Sequence, residues 1–138
     1  MSYNENDFIK VNTELSSDYI HVRVESKEKT RFSQDIVAVV DTSGSMLSSA
    51  SIKTSSGVVE SGLAVIDIVK HALNTIVESL DAKDRFSLVI YSYEGKVVVP
   101  LTSATEDFKK DIKEKISFLK PYGSTNLWDG LLKGMNEL

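Results

Sequence analysis

The sequence of 138 residues contains no cysteine, and this absence excludes disulfide bonds and thiolate metal sites. Histidine occurs only as His21 and His71, which lie too far apart in the sequence to form a zinc site from local spacing. The longest apolar run, residues 36–40, is too short to span a bilayer. The start of the chain is polar and acidic, unlike a secretory signal peptide. The sequence therefore predicts an intracellular, cytoplasmic protein that does not bind membranes.

Basic residues are also in deficit, with a formal net charge of -4. Nucleic-acid-binding proteins need a basic face, so we expect no nucleic-acid partner. Apolar residues make up 41% of the chain and charged residues 26%, which is an ordinary globular balance. A chain of this length has the size of one domain and can bury roughly two-thirds of its unfolded surface.

The first 34 residues differ in pattern from the rest of the chain. Residues 1–18 are polar without clear periodicity, which favours an arm. Apolar Ile20, Val22 and Val24 then alternate with polar residues, as in a half-buried strand. We therefore expect residues 1–34 to form an arm with one β-strand, and residues 35–138 to form the main domain.

Strand and helix patterns alternate from residue 35 onward. Residues 35–41 form a β-branched apolar run bounded by carboxylates, which is typical of a strand buried on both faces. The Ser-rich segment 48–62 is interpreted as a loop. Ser103 and Glu106 match a capping box at the start of a helix. The alternation predicts an α/β fold with a mostly parallel sheet. The remaining predicted elements are helices over 63–80, 105–119 and from 127 onward, and an antiparallel strand pair, 85–91 and 96–100.

Ligands of open α/β sheets bind at the carboxyl ends of strands, where this sequence has Asp41, Thr42, Ser43, Gly44 and Ser45. One carboxylate and two hydroxyls at alternate positions are hard oxygen ligands, which suit Mg²⁺ or Mn²⁺. Gly44 allows the sharp bend that brings these oxygens together. A plain turn with helix-capping residues is the alternative interpretation of the same five residues.

Two enzyme motifs come close to this segment and do not match it. Aspartic proteases carry an Asp-Thr-Gly-Ser type motif, but here Ser43 separates Thr42 from Gly44, and the helical periodicity is foreign to that all-β family. The glycine and lysine spacing of a phosphate-binding Walker motif is absent.

The segment resembles the signature of the von Willebrand factor type A domain, an Asp-x-Ser-x-Ser motif after a buried first strand. A second family element, a threonine in a Gly-rich loop before a helix, matches Thr125 in the segment 123–127. The resemblance implies a Rossmann-like fold with a metal-ion-dependent adhesion site. Asp41, Ser43, Ser45 and Thr125 would hold a divalent cation, Mg²⁺ first and Mn²⁺ or Ca²⁺ next. An open coordination position would accept a carboxylate from a partner protein.

The family pattern is matched only in its first half. The resemblance implies the sheet order 3-2-1-4-5-6, of which we expect the three-stranded 3-2-1 part, with an antiparallel edge hairpin and flanking helices. Residues 36–40 would then lie at an edge, so we expect a fragment, pairing with another chain, or self-association through this strand. The acidic residue that the family carries after its fourth strand is absent. Asp129 is interpreted as a charge favoured in the first turn of a helix, not as a ligand.

Three functions are compatible with these features. The first is a non-enzymatic protein-binding module that engages an acidic residue of its partner through the cation. The second is a half-domain that assembles with another chain and whose metal site is vestigial. The third, a Mg²⁺-dependent hydrolase using Asp41, lacks paired carboxylates and a general base. With Asp41 as the only carboxylate, a bound Mg²⁺ keeps a net charge of about +1, which weakens metal binding and strengthens attraction to an acidic ligand.

Overall fold

The computed structural model describes residues 9–16, 19–26, 31–54 and 57–138, and the chain divides into two units, Met1–Phe32 and Ser33–Leu138. In the first unit, strands β1 (Ile9–Leu15) and β2 (Ile20–Ser26) pair antiparallel, from Ile9 opposite Ser26 to Leu15 opposite Ile20. The predicted strand is thus present as β2, whereas the predicted arm is wrong for residues 9–15. Apolar Ile9, Val11 and Leu15 lie at alternate positions of β1, broken only by Thr13, and this is the strand signal that the prediction missed. Residues 1–8, 17 and 18 lie outside the described residues.

The second unit contains five strands and three helices among its described residues. None of the helices in the described ranges is long and apolar enough to cross a membrane. In chain order the elements are β3 (Asp35–Asp41), a 3₁₀ turn (Gly44–Leu47), β4 (Ser49–Thr54), β5 (Gly57–Ala64), α1 (Val65–Ser79), β6 (Arg85–Tyr91), β7 (Gly95–Ser103), α2 (Glu106–Ser117) and α3 (Leu127–Met135).

A three-stranded sheet with the order β3-β6-β7 forms the centre of this unit. Strands β3 and β6 are parallel, with Asp35 opposite Arg85 and Asp41 opposite Tyr91. Strand β7 runs antiparallel to β6 at the other edge. This arrangement confirms the predicted α/β fold and its antiparallel edge hairpin. It also confirms the 3-2-1 part of the family's sheet order, in which strands 1, 2 and 3 are β3, β6 and β7. The parallel register places the carboxyl ends of β3 and β6 side by side.

The segment predicted as a loop is a β-hairpin instead. Strands β4 and β5 pair antiparallel from Ser49 opposite Ala64 to Thr54 opposite Gly57, with a register shift between Ser49 and Ser51. The base of the hairpin is closed by a hydrogen bond from the Val65 amide to the Ser48 carbonyl, at 3.0 Å. Serine and glycine are typical of turns, so composition favoured a loop, while backbone pairing with the neighbouring strand decides the structure. Residues 55 and 56 are not among the described residues.

The main core lies between one face of the sheet and helices α1 and α2. Val77 of α1 and Ile112 of α2 are completely buried, as are Phe86 and Leu88 of β6. The rings of Phe86 and Phe108 meet edge to face at 6.5 Å between centroids. These contacts follow from the apolar stripes at helical spacing that the sequence shows.

Helix α3 covers the opposite face of the sheet and approaches it closely at two glycines. A Cβ on Gly130 would lie 2.5 Å from the Tyr91 ring, and one on Gly134 would lie 2.4 Å from Cγ2 of Val39. A side chain at either position would push the helix away from β3 and β6. The glycines therefore set how near the start of α3 comes to the carboxyl ends of these strands.

Helices α1 and α2 each begin with a local capping bond. The Ala64 amide donates to Oδ2 of Asp67 at 3.1 Å at the start of α1. At the start of α2 the Phe108 amide donates to Oγ1 of Thr105 at 3.3 Å. The predicted capping residue, Ser103, is wrong, because β7 extends to Ser103 and the helix begins only at Glu106.

Candidate metal centre

The Asp-x-Ser-x-Ser segment forms a tight loop at the carboxyl end of β3. Asp41 is the last residue of the strand, and its Oδ1 accepts a hydrogen bond from the Ser43 amide at 2.6 Å. The Oγ atoms of Ser43 and Ser45 lie 3.1 Å apart. Asp41 is half-buried, Ser43 is buried and Ser45 is exposed. The structure thus brings together one carboxylate and two hydroxyls, three of the four predicted ligands, between the end of β3 and the 3₁₀ turn that follows it.

A short 3₁₀ turn gives this loop its shape. The Met46 amide donates to the Ser43 carbonyl, and the Ser48 amide donates to the Ser45 carbonyl, both at 3.0 Å. These i to i+3 bonds turn the chain back on itself, which lets two serines at alternate positions point their hydroxyls at each other.

Thr42 fixes the loop to the neighbouring strand. Its amide and its Oγ1 both donate to the Tyr91 carbonyl, at 2.8 and 3.0 Å. Burial, and to a smaller extent the charge of Asp41, raises the pKa of the Tyr91 phenol. Thr42, between Asp41 and Ser43, therefore has a structural role, because its amide and its hydroxyl both bind the end of β6.

The segment that carries Thr125 is bonded directly to the motif loop. The Tyr122 amide donates to the Thr42 carbonyl at 2.8 Å, and the Gly44 amide donates to the Gly123 carbonyl at 3.0 Å. Gly123 has a φ of 73°, in the left-handed region that favours glycine. Thr125 is exposed two residues further on. The pairing of the two motifs, separated by about eighty residues of sequence, is thus present in the backbone hydrogen bonds.

Asn126 is a structural residue of the site that the sequence did not single out beyond its capping chemistry. Its amide donates to the Ser92 carbonyl at 2.6 Å, and its Nδ2 donates to the Tyr93 carbonyl at 3.1 Å. Its Oδ1 accepts from the Asp129 amide at 3.2 Å and caps α3. One side chain therefore links the Thr125 segment, the turn between β6 and β7, and the start of the last helix. Its spacing alone gives no signal of this role.

Asp129 lies in the first turn of α3, and its Oδ2 accepts from the Gly95 amide at 2.6 Å. This oxygen is engaged by the turn between β6 and β7. Asp129 thus lies in the first turn of α3 as predicted, and its bond to the Gly95 amide ties that turn to the start of β7. That Asp129 is not a metal ligand stays a prediction.

The donor set suits a small, hard cation. In the described ranges no three His, Cys, Asp or Glu side chains come together, so a cation here depends on hydroxyl oxygens beside Asp41. Neighbouring ligands of octahedral Mg²⁺ are about 2.9 Å apart when each lies about 2.0–2.1 Å from the metal. The Ser43 and Ser45 hydroxyls, 3.1 Å apart, are close to that spacing. Ca²⁺ has longer bonds but takes six to eight ligands in flexible geometries, so a pair at this spacing also suits it. The residues present fit a hard divalent cation such as Mg²⁺, Mn²⁺ or Ca²⁺.

The fold and the site define an α/β domain with an oxygen-rich loop at the carboxyl end of its first parallel strand. The family model of the von Willebrand factor type A domain matches residues 36–138. The chain belongs to this family. The comparison with curated proteins finds no match.

Solved structures share the fold at low sequence identity. An uncharacterized membrane spanning protein from Vibrio fischeri is 24% identical with a TM-score of 0.60, over 77% of this chain and 49% of that one. The PilB minor pilin from Streptococcus sanguinis is 22% identical with a TM-score of 0.61, over 83% and 28%. Proximal thread matrix protein 1 from the mussel byssus, whose MIDAS motif is occupied by zinc, is 21% identical with a TM-score of 0.56, over 77% and 25%. The chain thus spans at most about half the length of these proteins.

Proposed function

We propose that this chain is a protein-binding module that holds a divalent cation, Mg²⁺ foremost, through Asp41, Ser43, Ser45 and Thr125. The observation that carries the proposal is the Ser43–Ser45 hydroxyl pair at 3.1 Å beside the Asp41 carboxylate. The bonds from Tyr122 and Gly44 that join the two motif segments support Thr125 as the fourth ligand. A byssus protein of the same fold whose MIDAS motif holds zinc supports metal use at such a motif.

Charge determines which partner group the cation would attract. Serine and threonine hydroxyls are neutral ligands, so a divalent cation with Asp41 as its only carboxylate keeps a net charge of about +1. An acidic side chain of a partner protein would neutralise that charge by binding at an open coordination position. We therefore propose that the partner presents an aspartate or glutamate to the cation.

Binding rather than catalysis is favoured by what surrounds the loop. Hydrolysis needs a general base within hydrogen-bond reach of a reacting atom. Oδ1 of Asp41 is engaged by the Ser43 amide. The described part of the chain groups no other carboxylates or histidines with it in a set of three. We propose a non-enzymatic module on this basis.

The first test is thermal unfolding followed by circular dichroism in Mg²⁺ and in EDTA. A ligand that binds the folded state stabilises it by about 2.7 kcal/mol at one hundred times its dissociation constant. We expect a cooperative transition whose midpoint rises with Mg²⁺ concentration. The sole tryptophan, Trp128, is exposed three residues after Thr125, so its fluorescence offers a second readout. Identical midpoints in Mg²⁺ and EDTA, with unchanged fluorescence, would contradict metal use.

A second candidate function, assembly through the sheet, is favoured by the position of β3. Within the described residues β3 pairs only with β6, so its other edge offers backbone groups to another strand. Helix α3 beside it exposes large apolar side chains, which association would cover. These are Leu127, Trp128, Leu131, Leu132 and Met135.

Sedimentation at increasing protein concentration, with and without EDTA, separates the two candidates. Assembly through β3 predicts association that chelator does not change, because strand pairing and apolar contact need no cation. A monomer at all concentrations would contradict self-assembly. Association that requires Mg²⁺ would instead favour the cation-dependent module.

A further inference from the structure

Two exposed tyrosines lie beside the motif loop, although the proposed cation site uses neither. Tyr93, in the turn between β6 and β7, is 64% exposed, and Tyr122, four residues before Asn126, is 56% exposed. Their ring centroids are 6.4 Å apart and their planes meet at 52°. Tyrosine combines a large apolar surface with a polar tip, and it is enriched among the residues that dominate binding energy at protein interfaces.

The backbone holds both tyrosines next to the candidate ligands. The Tyr122 amide donates to the carbonyl of Thr42, the residue immediately before Ser43. The Tyr93 carbonyl accepts from Nδ2 of Asn126, the residue immediately after Thr125. The Tyr93 ring also covers Gly123, where an added Cβ would lie 2.3 Å from Cε2. The backbone of both tyrosines, and the Tyr93 ring through its packing over Gly123, are therefore in place before any partner arrives, which lowers the entropy lost on binding.

We infer that Tyr93 and Tyr122 form the part of the partner-binding surface that receives an aliphatic side chain next to the partner's acidic residue. The inference rests on the proposed function, because the acidic residue is the one that reaches the cation. Two aromatic faces beside a metal-bound carboxylate would gain most from burying an apolar neighbour of that carboxylate. A glycine at the same place would leave the rings in water.

The charges around the rings give a basic side chain no advantage at this place. Exposed Glu94 lies next to Tyr93 and exposed Lys120 lies two residues before Tyr122, so these two charges offset each other. The cation keeps its remaining positive charge of about +1 until the carboxylate binds. Once that carboxylate has bound, the site is neutral, so a partner lysine or arginine beside it would gain only the attraction of a cation to an exposed aromatic face. That attraction is weaker than the gain from burying an aliphatic side chain.

The test uses an array of short peptides that each contain one aspartate with every other amino acid in turn beside it. The purified chain is applied in Mg²⁺ and in EDTA. We expect Mg²⁺-dependent binding that is about tenfold stronger for leucine, isoleucine or valine than for glycine, in the range of an interface anchor. Tyr93→Ala with Tyr122→Ala removes this preference. Tyr93→Phe with Tyr122→Phe keeps it, because the ring faces remain.

Phe118→Ala is the matched control, since it truncates another aromatic side chain, 67% exposed, outside the described bonds that join the motif loops. It should leave the preference unchanged. Three results would overturn the inference while the proposed function stands. They are Mg²⁺-dependent binding with no preference among the neighbours, a preference for lysine or arginine, and a preference for aliphatic residues that survives in the double alanine variant. Absence of Mg²⁺-dependent binding to any aspartate peptide would overturn both. In that case the melting midpoint separates the two explanations. A midpoint that rises with Mg²⁺ means that the cation site is right and only the partner class is wrong, and a midpoint that does not change means that the cation site itself is wrong.

Discussion

Replacing Asp41 by asparagine is expected to abolish the stabilisation of this chain by Mg²⁺. Asparagine keeps an Oδ1 that can accept the hydrogen bond from the Ser43 amide, so the loop should keep its shape. The variant lacks the only carboxylate of the proposed ligand set, and neutral oxygens alone hold Mg²⁺ poorly. At one hundred times the dissociation constant the wild-type gain is about 2.7 kcal/mol, a rise in midpoint on the order of 10 °C for a domain of this size. The variant should show none of this rise.

Glu94→Gln is the matched control for the loss of one negative charge. Glu94 is exposed beside Tyr93 and is not among the proposed ligands, so its variant should keep the full Mg²⁺ response. Melting in EDTA shows whether Asp41→Asn is folded before any conclusion about metal is drawn. A folded Asp41→Asn variant that responds to Mg²⁺ as the wild type does would show that Asp41 is not the metal carboxylate.

Parts of the fold were predictable because their signals are local. Strand β3 reads as a continuous β-branched run, and the stripes of α1 and α2 fill the main core at helical spacing. The hairpin of β4 and β5 was not predictable in the same way. Its serines and glycines suit a turn, and only pairing between its own two segments makes it regular. β1 was missed because its alternation of Ile9, Val11 and Leu15 is broken by Thr13.

The candidate site was likewise predictable where its residues are close in sequence, and not where they come from distant segments. Asp41, Ser43 and Ser45 stand close in sequence, so their spacing indicates oxygens that could converge, and the structure places the serine hydroxyls 3.1 Å apart. Asn126 and Tyr93 are 33 residues apart, and no periodicity connects them. Such a contact depends on how β6, β7 and α3 meet, which tertiary packing decides. The metal itself and its ligands stay predictions that the binding experiments must test.

Gly123→Ala is expected to destabilise the fold by about 2–3 kcal/mol and to weaken Mg²⁺ binding. At a φ of 73° an alanine pays roughly 1–2 kcal/mol for the left-handed conformation. Its Cβ would also lie 2.3 Å from Cε2 of Tyr93, so that ring must move away from Gly123. Because the Gly123 carbonyl accepts from the Gly44 amide, a shift of this segment also disturbs the motif loop. Urea unfolding and the Mg²⁺ response of the midpoint measure the two effects.

Gly62→Ala separates strain from steric clash. Gly62 has the same φ of 73°, but a Cβ there would meet nothing within 4 Å. Gly62→Ala should therefore lower the free energy of unfolding only by the cost of the left-handed conformation, and it should keep the Mg²⁺ response. Adding Tyr93→Ala to Gly123→Ala removes the clashing ring. The double variant should therefore lose less free energy of unfolding than the two single variants lose in sum. Equal losses for Gly123→Ala and Gly62→Ala, or strict additivity with Tyr93→Ala, would show that the ring does not press on Gly123. The preformed position of Tyr93 beside the cation site would then lose its structural basis, because that position depends on the ring packing over a residue with no side chain.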